Sequence, residues 1–476
     1  MQQTPPRTLS QLLSPLRMAT AHFDEQIPFD GQHRSAFETD GDKIGFTEGF
    51  RALADKTQVH DRVERDGNHR NRLTHSIEVS RVGRSLGVAL GARMISYYGL
   101  NAAPSGEAYW RMDPADIGHV VSSACLAHDL GNPPFGHDGE DAIADFFRTT
   151  KTGQKAVAKA GPTVGAELCR HEGNAQGFRM ITRSMGWRHQ GGLNLTAATL
   201  GAFGKYPFPL KPGGKKYGIH RADMEAMEFV ALATGMIRDG EGWIRHPLAW
   251  LMEAADDICY LTVDLEDAAW IGMIEVDTLC DLYRSVIGEE EIRRGRRMDD
   301  IPRMIQYFRS RVIKALINGC VEVYSGIARD IDEGFLSSTD AGSGILAHTP
   351  HAEAMARIRD FSRKQIYHSK ATQDARKDFR AAMFDALEAL VSDLLQWLDH
   401  SDIEGAPQSD VAEIVRAPGR LSGRMTDYPA LSMLPHARLG TDIPNDPSQA
   451  FPWLLDQITL MSDAQVLDLS QRVREG

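Results

Sequence analysis

His128 and Asp129 stand side by side at the end of an apolar stretch, and Gly131-Asn132-Pro133-Pro134-Phe135-Gly136 leads from them to His137. His75 lies upstream in RNRLTHSIEVSRVGRSLG, and Asp256 lies downstream in EAADDICYLTVDLEDA. Two imidazoles and two carboxylates form a mixed nitrogen/oxygen set. Such a set suits a divalent metal kept partly open for water and phosphate. A metal held this way neutralises charge on phosphorus and lowers the pKa of its bound water. These residue types point to a metal-dependent phosphohydrolase.

Further groups could serve the same chemistry. Glu140 follows His137 by three positions, and a histidine oriented by a carboxylate is the usual general acid or base near neutral pH. Asp256, Tyr260 and Asp264 fall at i, i+4 and i+8, on one face of a helix. A carboxylate, a phenol and a second carboxylate in line could bind metal, stack on a sugar and accept a hydroxyl hydrogen bond. Acidic helix faces are commonly only solvated, but an exposed face rarely needs an aromatic. A triphosphate must meet local positive charge in a chain whose net charge is −12. Arg72, one turn before His75 and expected beside it, and Lys215-Lys216 in a Gly-rich loop are the candidates, with Tyr217 next to them. The run Arg293-Arg294-Gly295-Arg296-Arg297 reads as a solvated helix end, with a phosphate or single-stranded nucleic-acid contact as the lesser reading.

The elements that must position these groups are helices. His75, Val79, Val82, Leu86 and Leu90 make one apolar stripe. The His128-Asp129 helix opens with Asp113 as N-cap and Pro114 at N1 and stops at Gly131, where Pro133 and Pro134 forbid continuation. A third helix is expected from about Pro247 through Asp267, and long helical patterns cover 300–328 and 351–399. Residues 203–219 break the pattern and suggest a small β-hairpin or ordered loop around Pro212-Gly213-Gly214. The stretches 331–349 and 400–445 read as surface loops. The expected fold is all-α, with a core over 1–280 and a C-terminal helical extension over 281–476 packed on it.

With 476 residues, 42% hydrophobic and 25% charged, the chain reads as one soluble protein with a sizeable core. Its acidity argues against bulk attraction to DNA. Five separated cysteines without a CxxC, no signal-like start and no membrane-length apolar run lead to the expectation of a cytoplasmic protein with reduced thiols and no membrane association.

RSAFETDGDKIGFTEGFRALADKTQV, RNRLTHSIEVSRVGRSLG, HDLGNPPFGHDGEDA, HEGNAQGFRMITR and EAADDICYLTVDLEDA together resemble the bacterial deoxyguanosine triphosphate triphosphohydrolases of the HD-domain superfamily. The likeness spans about residues 34–270, with a fainter echo at LLDQITLMSDAQVLDL. It implies an all-α fold and hydrolysis of a deoxynucleoside triphosphate to the deoxynucleoside plus tripolyphosphate. It also implies a bound divalent metal, Mn²⁺ or Mg²⁺ first, with Fe, Co, Ni or Zn also compatible. By the resemblance His75, His128, Asp129 and Asp256 are metal ligands, His137 and Glu140 the catalytic pair, and His171 stands close to the phosphates. Gln58, Val59, Tyr260 and Asp264 line the sugar and base pocket. A homo-oligomer and an allosteric nucleotide are further expectations. GDKI at 41–44, Asn71 and His171 depart from the common bacterial pattern, which bears on base preference and on any allosteric site. Two other readings stay open: a different HD-type phosphohydrolase, such as a 5′-nucleotidase or phosphodiesterase, and a non-catalytic nucleotide or single-stranded nucleic-acid binder.

Overall fold

The computed structural model describes residues 8–18, 34–57, 70–98, 113–185, 192–214, 216–335, 344–367, 370–403, 428–434 and 443–475. These are overwhelmingly helical, as expected of an all-α chain. Short helices α1 (Leu9–Leu12), α2 (Ala36–Gly45) and α3 (Glu48–Ala52) precede the long α4 (Arg72–Tyr98). The histidine-bearing stretch continues through α5 (Pro114–Ala127), α6 (Gly136–Thr149), α7 (Lys151–Leu168) and α8 (Gly173–Arg179). Helices α9 (Ala197–Phe203) and α10 (Met224–Thr234) lead to α11 (Pro247–Trp270). Beyond it lie α12 (Val276–Gly295), α13 (Ile301–Glu333), α14 (Ala352–Ser362), α15 (Lys370–Ile403), α16 (Pro447–Leu460) and α17 (Asp463–Glu475).

The start signals act as read. Asp113 caps α5 by accepting from Ala115 N–H, with Pro114 at the first turn, and α5 gives way at His128. Pro247 opens α11, capped by the His246 side chain. The two-stranded pair is β1 (Arg238–Asp239) against β2 (Gly242–Trp243), antiparallel. It therefore lies outside 203–219, whose described residues carry a single parallel bridge between Pro209 and Ile219. No helix of the described residues is long and apolar enough to cross a membrane. All five cysteines are unpaired thiols.

Two hydrophobic clusters form the interior. The larger runs from Leu9 to Ile366, includes α4, α5, α11 and α13, and also takes in Leu460. The second joins Phe135, Phe146, Phe147 and Leu168 to the inward faces of α15, α16 and α17. The predicted stripe of α4 is buried throughout, from His75 to Leu90. What lets α4 lie so close to α5 is the absence of side chains at their crossing. A Cβ on Gly87 would stand 2.8 Å from Gly118 Cα and 2.9 Å from Gly118 N. That approach carries His75 up to His128, with ring centroids 5.4 Å apart.

Gly87→Ala tests this coupling. Overpacking a tight crossing costs about 1–3 kcal/mol, against about 1 kcal/mol that alanine gains in helix propensity. The melting temperature is expected to fall and metal affinity to fall with it, since the two imidazoles are pushed apart. A melting temperature at or above the parent's would show that the crossing has slack.

Candidate metal centre and active site

His75 Nε2 lies 3.2 Å from Asp256 Oδ1, and His128 Nε2 lies 3.5 Å from the same oxygen. Ligand atoms of these three residues all fall within 4.8 Å of one another, a spacing that a single cation could bridge. Each arrives from a different element: α4, the end of α5, and α11. His128 Nδ1 donates to Cys125 O at 2.7 Å, which fixes the tautomer and leaves the Nε2 lone pair toward the trio. Burial opposes ionisation of Asp256, but the fields of His128 and His75 outweigh it and hold the carboxyl below the usual range. A carboxylate facing two imidazole nitrogens is the donor set a divalent cation requires, so the residues fit a metal.

Asp129 stands at the edge of the trio. Its Oδ1 is 3.5 Å from His128 Nε2, while Oδ2 accepts from Arg72 Nη1 at 3.0 Å and Asn132 Nδ2 donates to Oδ1. Both Arg72 and Asp129 are buried. Arg72, expected beside His75 as a cation for an anionic substrate, binds Asp129 through Nη1, while its Nε has no hydrogen-bond partner among the described residues. Gly136 makes that possible, because a Cβ there would fall 1.9 Å from Arg72 Nη2.

His137 is exposed on the first turn of α6, and Glu140 is buried one turn on. Glu140 Oε1 accepts from Gly173 N–H at 3.0 Å. Burial raises the Glu140 carboxyl's pKa, the nearby His137 pulls it down and Glu172 raises it again, for a net upward shift. His137 and Glu140 stand one turn apart on α6, near enough for charge to act between them, and no hydrogen bond joins them among the described residues. His171 is buried just before α8, and neither of its ring nitrogens has a hydrogen-bond partner among the described residues. Burial, and then His220, push it down to about 3, so it is neutral at pH 7. Lys216 reaches Glu172 at 2.8 Å, close enough to Glu140 for the carboxylate's charge to act on it. Tyr217 is fully buried beside them, with its hydroxyl unpartnered among the described residues. Gln58, Val59 and Lys215 lie outside the described residues. Three arginines of the 293–297 run pair with acids of the same helix, Arg293 with Glu289, Arg294 with Glu290 and Arg296 with Asp277, as a solvated helix end would.

Along α11 the second carboxylate and the phenol meet a residue the sequence reading missed. Tyr260 stacks on Tyr367, centroids 5.2 Å apart and planes within 14°. Tyr367 donates its O–H to Asp264 Oδ2 at 2.5 Å. Asp264 is buried, and burial pushes its carboxyl up to about 7 against the Tyr367 hydrogen bond. Arg359 Nη2 approaches Asp257 at 3.5 Å on the same side. Tyr367 and Arg359 come from 100 residues downstream of α11's acidic run, in RIRDFSRKQIY, which carries no ligand spacing of its own.

Asp256→Ala and His128→Ala are each expected to lose bound divalent metal while keeping the helical circular-dichroism spectrum of the parent, because one missing ligand breaks the coordination set. Metal content of the dialysed variants, measured by atomic spectroscopy, is the check. Full occupancy in either variant would remove that residue from the centre.

Comparison with known proteins places the chain in a family. Residues 72–211, from the first residue of α4 through His75, His128, Asp129, His137 and His171, match the HD domain family. A "Deoxyguanosinetriphosphate triphosphohydrolase-like protein" of Pseudomonas aeruginosa is 37% identical over 348 residues, 71% of this chain and 75% of the relative. A protein of the same description from Synechocystis is 34% identical over 443 residues, 88% of this chain and 96% of the relative. The "Deoxyguanosinetriphosphate triphosphohydrolase" of Salmonella arizonae is 31% identical over 309 residues, 55% of this chain and 58% of the relative. Identity of this order along nearly the whole length of a relative means that the chain belongs to the deoxyguanosinetriphosphate triphosphohydrolase-like family of HD-domain proteins.

Proposed function

We infer that this chain is a metal-dependent dNTP triphosphohydrolase, cleaving dGTP or another dNTP into the deoxynucleoside and tripolyphosphate. The observation that carries the reading is the convergence of His75, His128 and Asp256 on one point, on the same α11 face as the Tyr260–Tyr367 stack and the buried Asp264. A metal centre adjoining an aromatic platform and a hydroxyl acceptor matches a phosphate joined to a sugar. The Salmonella relative, described as a deoxyguanosinetriphosphate triphosphohydrolase, supports the same reading.

Each part has a role in this reaction. The metal, Mn²⁺ or Mg²⁺ in the first instance, would be held by His75, His128 and Asp256 with Asp129 at its edge, and would supply charge neutralisation at the phosphate and a more acidic bound water. His137, exposed on the first turn of α6 with the buried Glu140 one turn on, exchanges a proton with the attacking water or the departing 5′-oxygen. His171, kept neutral, offers one donor and one acceptor nitrogen to the phosphate chain. Lys216, tethered to Glu172, and Tyr217 border the same space. Arg72 acts by fixing Asp129. Asp264 and the Tyr367 hydroxyl bind the 3′-hydroxyl, Tyr260 packs against the sugar, and Gln58 and Val59 of the KTQV stretch complete the base end.

Incubation of the purified protein with each dNTP and Mn²⁺, followed by separation of products, is the direct test. Deoxynucleoside and tripolyphosphate in equal amounts are expected. Monophosphate plus pyrophosphate, or turnover only of nucleoside monophosphates or cyclic nucleotides, would make it another HD-type phosphohydrolase. Binding without turnover would make it a nucleotide binder.

Two variants probe the roles. His137→Ala should keep metal and substrate affinity but lose about 10²–10⁴ in kcat, with a smaller loss in Glu140→Gln; an unchanged kcat with a raised KM would make His137 a binding residue. The wild type should prefer dGTP to GTP in kcat/KM, because a ring packed at C2′ excludes a hydroxyl there. Tyr260→Ala should narrow that ratio, and a constant ratio takes Tyr260 out of the sugar pocket.

A further inference from the structure

The C-terminal helices reach the active-site turn through buried polar contacts. Asp463, the first residue of α17, is 5% exposed. One of its carboxylate oxygens accepts from Phe135 N–H at 2.8 Å, and the other accepts from Thr57 N–H at 2.8 Å. Lys56, buried to 2% exposure, donates to Asn132 O at 2.8 Å and to Thr459 O of α16. A single carboxylate and a single ammonium thus join the His-Asp turn, the segment before α4 and the C-terminal helix pair.

Both of Asp463's partners are backbone groups at points that set chemistry. Phe135 has φ 64°, in the left-handed region that costs a non-glycine residue energy. It precedes α6 without capping it by a side chain, so its own geometry aims His137 and Glu140. It also places Gly136 against the Arg72 guanidinium, which in turn holds Asp129. Thr57 pairs with Asn71 across an isolated bridge. Asn71 in turn exchanges hydrogen bonds with Thr74 at the start of α4, one residue before His75. Phe135 is further covered by Phe379 of α15, stacked at 4.6 Å. The same C-terminal segment grips α8, where Asp456 accepts from Arg179 Nε and Nη2 and from Gln176.

We propose that Asp463 is a positioning residue of the active site: through the Phe135 and Thr57 amides it registers the His137–Glu140 pair against the metal trio. The C-terminal helix pair is then part of the catalytic apparatus. The proposal rests on the hydrolase reading above. A carboxylate is required because two N–H donors approach two different oxygens. An asparagine of the same shape has only one acceptor oxygen and would turn an N–H toward one of them. The strained turn then relaxes, and a displacement of about 1 Å at catalytic groups is enough for a loss on the order of 10²-fold.

The test compares the full-length wild type with Asp463→Asn, Asp463→Glu and Asp385→Asn. Asp385 holds the far end of α17 through Ser470 and Arg474, away from the turn, so it reports loosening of the helix alone. Mn²⁺ affinity, kcat, KM, melting temperature and amide hydrogen exchange are measured well below every melting point. Asp463→Asn is expected to bind Mn²⁺ within about threefold of wild type and to keep KM within about threefold, with kcat per folded molecule down about 10²-fold. Its exchange should accelerate about tenfold or more in the peptides covering 54–57 and 131–140, while the body of α4 stays protected. Asp463→Glu, with both oxygens retained, should recover part of kcat, and Asp385→Asn should lower the melting temperature at wild-type kcat. Wild-type kcat per folded molecule in Asp463→Asn, or an equal kcat loss in Asp385→Asn, overturns the proposal. If the wild type turns over no dNTP, the hydrolase reading fails by itself, and exchange then decides the clamp: unchanged protection at 131–140 in Asp463→Asn refutes it.

Discussion

The buried ion pair between Arg72 and Asp129 is the contact on which the site depends. It joins the first residue of α4 to the residue after His128, and it closes only because position 136 has no Cβ where the guanidinium passes. His75 lies one turn beyond Arg72 and His128 one residue before Asp129, so the pair fixes the spacing of two imidazoles that no backbone hydrogen bond connects directly. Removing one member of such a pair leaves an uncompensated buried charge, at a cost of about 3–5 kcal/mol. The small residues at the α4–α5 crossing and the Asp463 hydrogen bonds below the turn support the same junction from either side.

Around that junction the protein separates acidic groups by environment. Asp256 is kept ionised by the imidazoles beside it, whereas Asp264, two turns along the same helix face, is pushed up to about 7 by burial. Glu140 is also raised, and His171 falls to about 3. Titratable groups driven apart in this way divide labour at neutral pH: a permanently charged carboxylate for a cation, a neutral imidazole toward an anion, and a carboxyl near its midpoint for a hydroxyl.

The second hydrophobic cluster gives the C-terminal helices their place in this arrangement. Phe135, Phe146 and Phe147 point from the turn and α6 into the faces of α15, α16 and α17. Burial alone would let that contact slide. Asp456 and Asp463 give it a register, because a carboxylate satisfied by fixed N–H and guanidinium donors tolerates little displacement.

The local features were legible in the chain itself. Pro114 and Pro247 mark helix starts, Pro133 and Pro134 forbid continuation, and the i, i+4, i+8 spacing of Asp256, Tyr260 and Asp264 puts them on one face whatever surrounds them. Helix periodicity and capping are short-range rules, so the helical class, the His75 stripe and the His128-Asp129 turn could be read without a structure. Composition could not tell that Arg72 turns to Asp129 and not to solvent, since that depends on the missing side chain at 136 and the closeness of two backbones. Nor could it find Tyr367, which reaches Tyr260 and Asp264 from a helix end a hundred residues away, or Asp463, whose partners are main-chain amides more than three hundred residues earlier. Backbone amides carry no sequence signature, and a stacking partner carries no spacing. Which groups meet across such distances is decided by the packing of the helices, and only the tertiary structure holds that information.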